Sequence, residues 1–84
     1  MPKFMDVHDG MKGITQEALQ REHQKDLELQ KSEKGVHFMK AWADPLEGKV
    51  FCLSEGPSKE AIQRVHARAG HPANEIYEVS IEQE

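Results

Sequence analysis

A carboxylate and an imidazole stand two residues apart near the start of the chain, in Phe4-Met5-Asp6-Val7-His8. Side chains alternate faces in an extended segment, so Phe4, Asp6 and His8 share one side and Met5 and Val7 take the other. Asp9-Gly10 follows at once, which places His8 at the rim of the predicted sheet. Acid and imidazole at that spacing suit metal ligation or proton transfer. Imidazole and carboxylate donors fit Ni(II), Zn(II) or Cu(II), with water completing an open shell. The chain has five histidines in 84 residues: His8, His23, His37, His66 and His71. It has no Cys-x-x-Cys and no His-x-x-x-His pair, so no compact motif names a metal.

Other residues carry an open choice. His23 and Asp26 are three apart on a predicted helix and are neighbours on one face. They suit an oriented base, a metal pair, or a histidine held by a carboxylate at a packing margin. Cys52 could serve as a thiolate or as a small buried hydrophobe. Asp6, expected on the open sheet face, could pair across a dimer interface or ligate a metal. Phe38 and Trp42 are core or interface residues first and cavity walls second. Gly10-Met11-Lys12-Gly13 lacks the spacing and the Lys-Ser/Thr of a phosphate loop.

These residues need elements to place them. The first strand is expected over Lys3 to His8. Thr15 is suited to cap a helix running from Gln16 to about Glu33, and Gly35 to end it. At 100° per residue Ala18, Leu19, Leu27 and Leu29 gather on one side, interrupted by Glu22, His23 and Asp26. A second strand is expected over Val36 to Ala43, with Phe38 and Trp42 on one face. Asp44-Pro45-Leu46-Glu47-Gly48 reads as a hairpin connection to a third strand, Lys49 to Glu55. Both parities of that strand are apolar, which predicts a central position covered on both faces. Gly56-Pro57-Ser58 starts a helix from Lys59 to Ala69, with Ala61, Ile62, Val65 and Ala69 as its buried stripe and His66 at the edge. Gly70 closes it. A last strand is expected over Glu75 to Ile81.

The order β-α-β-β-α-β predicts a ferredoxin-like α+β fold, an antiparallel sheet with two helices on one face, in a single domain over 1–84. Right-handed crossovers put the third strand between the first and second, and the fourth outside the first. The other sheet face is left bare. Phe4, Val50 and Cys52 are expected there, covered by a second copy of the chain through or beside the open face. The same topology brings His8, His66 and His71, with Asp9 nearby, toward one end of the molecule.

Composition narrows the partners. Hydrophobic residues make up 37% and charged residues 31%, and the net charge is −4, with a pI near 5.7. An acidic chain without a basic stretch has nothing to neutralise phosphates, so neither nucleic acid nor an anionic membrane is expected as a partner. One cysteine forms no internal disulfide, which suits a reducing cytoplasm. No signal peptide or membrane span is expected, since no long apolar segment is present.

Several spaced segments carry a resemblance. They are Phe4 to His8, His23 with Asp26-Leu27, Phe51-Cys52-Leu53 before Gly-Pro-Ser, Val65-His66 with Ala69-Gly70, and Glu75-Ile76-Tyr77-Glu78-Val79. In that order they resemble a small bacterial domain-of-unknown-function family that includes a nickel-binding ferredoxin-like protein. The resemblance spans nearly the whole chain. It implies a ferredoxin-like fold, a homodimer, and nickel held near the surface for sequestration or tolerance. His8, His23, Asp26, Cys52 and His66 match the family pattern; His37 and His71 do not.

The resulting expectation is a non-catalytic, cytoplasmic, homodimeric protein that binds nickel, or another divalent transition metal, through His8, His66 and His71. Asp6, Asp9, His23, Asp26 and Cys52 are further ligand or pocket candidates. The alternative is a cofactor-free enzyme or small-molecule binder of the dimeric α+β-barrel type. In that case Asp6, His8, Cys52 and Trp42 would line a pocket between paired sheets. Burial discriminates: histidines beside an apolar cavity favour the enzyme, histidines on an open rim favour metal.

Overall fold

The chain forms β1 (Lys3–His8), α1 (Gln16–Leu29), a 3-10 turn (Gln30–Ser32), β2 (His37–Asp44), β3 (Lys49–Glu55), α2 (Lys59–Arg68) and β4 (Glu75–Glu78). This computed structural model describes residues 1–84. The four strands make one antiparallel sheet in the order β2-β3-β1-β4. The result is a small α+β fold compatible with the ferredoxin-like arrangement, with the strand order that right-handed crossovers require.

Local chemistry sets the element ends. Thr15 accepts a hydrogen bond from Ala18 N at the start of α1, and Ser58 accepts one from Ala61 N at the start of α2. Helix α1 stops at Leu29, four residues short of expectation, where the chain tightens into the 3-10 turn. Ser32 Oγ donates to the Leu29 carbonyl there, 2.6 Å away. Strand β4 ends at Glu78, not Ile81.

The core lies between the helices and one sheet face. Phe4, Val36, Phe38, Ala61, Ile62 and Val65 form it, with Leu27, Leu29 and Ile76 packed against it. Each large aliphatic side chain buried there contributes roughly 1.5–3 kcal/mol. The covered face was expected to be the other one. Phe4, Val50 and Cys52 are 2%, 6% and 4% exposed and lie beneath the helices, not on the bare side. Asp6 and His8 go with them, since they share the parity of Phe4. Met5, Val7, Phe51 and Leu53 are half-buried on the opposite face.

Trp42 also departs from expectation. A bulge between Phe38 and Lys40 absorbs Met39, so Phe38 pairs with Ser54 while Trp42 pairs with Phe51. An extra residue in one strand reverses parity beyond it. Phe38 therefore enters the core, and Trp42, 45% exposed, joins Tyr77 among the exposed aromatics.

Candidate metal centre

Three elements deliver the site. β1 contributes Asp6 and His8, two residues apart on the covered face. α2 contributes His66, one turn beyond Ile62 on the buried stripe, and α1 contributes Asp26, its one fully buried residue. His71 arrives through the cap of α2. Gly70 adopts φ 88°, and its N–H bonds the Ala67 carbonyl while His71 N bonds the His66 carbonyl at 3.0 Å. This left-handed cap folds the chain back over the last turn. The three rings thereby meet, with centroids 4.7 Å apart for His8 and His66, 5.5 Å for His8 and His71, and 5.4 Å for His66 and His71.

Imidazoles and carboxylates alternate through the centre. His66 Nε2 donates to Asp6 Oδ2 at 2.9 Å and Nδ1 donates to Asp26 Oδ1 at 3.0 Å. That same Asp26 oxygen accepts from His71 Nε2 at 2.8 Å. At the other end His8 Nε2 lies 2.9 Å from Asp6 Oδ1. The ring is not aligned for a hydrogen bond there, and Asp6 Oδ1 is buried without a partner. His8 Nε2 is also 3.9 Å from Cys52 Sγ. At the outer end His71 Nδ1 lies 3.2 Å from Glu22 Oε2, again without hydrogen-bond alignment.

Two hydrogen-bonded nitrogens facing carboxylates make His66 an imidazolium. Burial alone would lower its pKa, but the bonds to Asp26 and Asp6 raise it to about 9. Burial pushes the Asp6 carboxyl up; hydrogen bonding from His66 and the approach of His8 outweigh it and hold the group below its ordinary value. Asp26 follows the same balance, with His66 and His71 prevailing over burial. Cys52 goes the other way. Burial, then the charges of Asp6 and Asp26, push its thiol far up, so it remains S–H at neutral pH.

The donor atoms form two groups that share His66: Asp6, His8, Cys52 and His66 in one, Asp26, His66 and His71 in the other. Within each group all donor atoms lie within 4.8 Å of one another. The expected convergence of His8, His66 and His71 is present, yet His8 and His71 fall in different groups. Asp6, Cys52 and Asp26 join them. Asp9 does not; it pairs with Lys49 at 2.7 Å on the surface. His37 is exposed on β2. The centre is not on an open rim, since His8 is 5% exposed and His66 and Asp6 are fully sealed.

Beside the centre a cavity opens between α1 and the sheet, with about 30 Å³ for the centres of water-sized groups. Its walls include Met11, Leu19, Ala41 and Val50, and its polar edge includes His8, His71, His23, Glu22, Asp26 and Cys52. His23 Nδ1 is buried there without a partner. The pocket anticipated between paired sheets cannot contain its four residues together. Asp6, His8 and Cys52 lie under the helices, while Trp42 is on the opposite face.

A family model described as "Nickel responsive protein SCO4226-like" matches residues 4–79. The chain is similar to SCO4226 from Streptomyces coelicolor A3(2), a solved structure. Identity is 59% and the TM-score 0.93, over 96% of this chain and 99% of that one. It is also similar in fold to the protein YJCS, with 13% identity and a TM-score of 0.60 over 96% and 98% of the two chains. No curated protein matches.

Proposed function

The chain belongs to the SCO4226-like family of nickel-responsive proteins, and from that membership we propose that it is a non-catalytic nickel-binding protein, serving nickel sequestration or tolerance. The observation that carries the reading is the buried group of Asp6, His8 and His66, with an Asp6 oxygen that lacks a hydrogen-bond partner. These residues fit the metal. Imidazole nitrogen and carboxylate oxygen are donors Ni(II) accepts once the metal displaces the Nε2 proton of His66, and a neutral Cys52 thiol does not draw the site toward soft thiolate metals. His71, sharing Asp26 with His66, is the third imidazole of the proposal, and His23 and Asp26 support the margin of the site. Another divalent transition metal would meet the same donors.

The same reading treats residues 1–84 as one domain that pairs with a second copy through the sheet face carrying Trp42 and Tyr77. It places the protein in the cytoplasm, where a free cysteine is stable. No helix is long and apolar enough to cross a membrane, and the net charge of −4 supports the reading that nucleic acid is not a partner.

Calorimetric titration of tag-free, metal-stripped protein with Ni(II), Zn(II) and Co(II), with its mass in solution, tests the reading. Tight, saturable nickel uptake at a whole-number stoichiometry supports it. Nickel uptake unchanged in the His8→Ala/His66→Ala double variant defeats the site, and weak, unsaturable binding of all three metals defeats the function.

One observation favours the second reading, a small-molecule binder or cofactor-free enzyme: the histidines lie beside an apolar cavity. Its size restricts that reading to very small ligands within one chain.

A further inference from the structure

The backbone on either side of His71 is pinned. Its own N–H bonds the His66 carbonyl at 3.0 Å. Pro72 follows, with φ restricted by its ring. Gln63 then clamps Ala73 twice, donating from Nε2 to its carbonyl and accepting from its N–H through Oε1, each at 2.8 Å. Asn74 N–H bonds the Val7 carbonyl at 2.8 Å.

The His71 side chain is held by much less. Nε2 makes one hydrogen bond, to Asp26 Oδ1 at 2.8 Å. Nδ1 stands beside Glu22 Oε2 without hydrogen-bond alignment, and that carboxylate also lies 3.0 Å from Lys25 Nζ at the surface.

This ring stands where the sealed cluster meets solvent. Around the His66 ring are Asp6, Asp26, His8, Phe38 and His71. The first four are buried, whereas the His71 side chain is 17% exposed. The neighbouring cavity touches neither His66 nor Asp6, so it offers no second way to them.

A side chain with one hydrogen bond, on a pinned backbone, at the exposed edge of a sealed cluster can move alone. We propose that His71 is the gate of the centre. Its ring swings off Asp26 and opens His66 and Asp26 to solvent while α1, α2 and the sheet stay in place. A step between staggered side-chain wells is enough for this and leaves the main chain unmoved. Resting on the metal-binding reading above, the same swing admits the ion, so the sealed donors are reached without unfolding.

Exchange of the His66 ring N–H with D2O, followed by NMR on metal-free protein at a series of low urea concentrations, tests the gate. The expected exchange is faster than global unfolding allows and nearly independent of urea, since a side-chain swing exposes little surface. His71→Ala should speed it at least about tenfold beyond what its lost urea stability accounts for. Gly13→Ala, in a loop away from the centre, should speed it by no more than its own lost stability. Exchange that carries the full urea dependence of global unfolding overturns the gate. A rate in His71→Ala fully explained by lost stability overturns it too. If His71→Ala does not fold, the urea dependence of the unaltered protein decides alone.

Stopped-flow mixing with Co(II) reads the metal part. Association should be at least about tenfold faster in His71→Ala, whereas loss of a ligand alone acts on release. Association no faster than in the unaltered protein overturns the entry of the ion through His71. Absence of saturable Co(II) uptake by the unaltered protein defeats the metal reading itself, and the exchange experiment still decides the gate.

Discussion

His66 donates its Nε2 proton to Asp6 across 2.9 Å, and both side chains are wholly sealed from solvent. With Asp26 on its other nitrogen, the imidazolium balances one of two buried negative charges by direct contact with both. Removing it leaves two carboxylates without their cation. His66→Ala should cost roughly 3–5 kcal/mol, the usual penalty for orphaning a buried charge. That is comparable to the whole stability of a chain this short. Urea denaturation checks it; a loss below about 1 kcal/mol would mean that the pair is not sealed.

The same contact fixes the sign of the pH dependence. His66 has a folded pKa of about 9 against an ordinary 6.5. Its contribution is therefore complete below pH 6.5 and is lost as pH rises through 9. The displacement corresponds to about 3 kcal/mol. Asp6 and Asp26 are lowered from 3.8, so theirs is present above pH 3.8 and lost as pH falls through their folded values. Stability should peak between about pH 4 and 6.5. A urea midpoint that climbs from pH 6.5 to 9 would contradict the assigned charge on His66.

Much of this centre was legible in the chain. The two-residue spacing of Asp6 and His8 places them on one strand face, and the crossover rule brings His8, His66 and His71 to one end. What the pattern could not decide was which face the helices cover. Met5, Val7, Phe51 and Leu53 are as apolar as Phe4, Val50 and Cys52, so hydrophobicity does not choose between parities. The choice falls to the bonds that His66 makes to Asp6 and Asp26, which form only if the polar parity is buried. A signal for His66 was present: it follows Ile62 by four residues and so belongs to the middle of the stripe. The bulge at Met39 left no comparable mark in an alternating strand.

Cys52 offers an independent measure of the field in the centre. Burial and two nearby carboxylates raise its thiol, and only the thiolate alkylates. Iodoacetamide at pH 8 should modify the native protein at least about 100-fold more slowly than the urea-unfolded chain. Cys52→Ala should leave the centre's imidazole–carboxylate hydrogen bonds intact while removing the 3.9 Å sulfur contact to His8. Comparable alkylation rates in the two states would show that the thiol does not face Asp6 and Asp26 in solution.

The cap of α2 tests whether His71 is placed by the backbone or merely by its bond to Asp26. Gly70 has φ 88°, and a Cβ there would meet nothing within 4 Å, so an added methyl strains only the backbone. Gly70→Ala should cost about 1–2 kcal/mol from the left-handed conformation alone. Gly13 supplies the control, with φ 78° and the same open surroundings, in a loop that carries none of the bonded chain from His8 to His71. Both variants should lose similar stability. The difference should appear at His71, whose turn depends on the bond to the His66 carbonyl. Its imidazole NMR signals should shift and broaden in Gly70→Ala and remain fixed in Gly13→Ala. Unchanged His71 signals in Gly70→Ala would assign its placement to the bond with Asp26, and the cap would then act on stability alone.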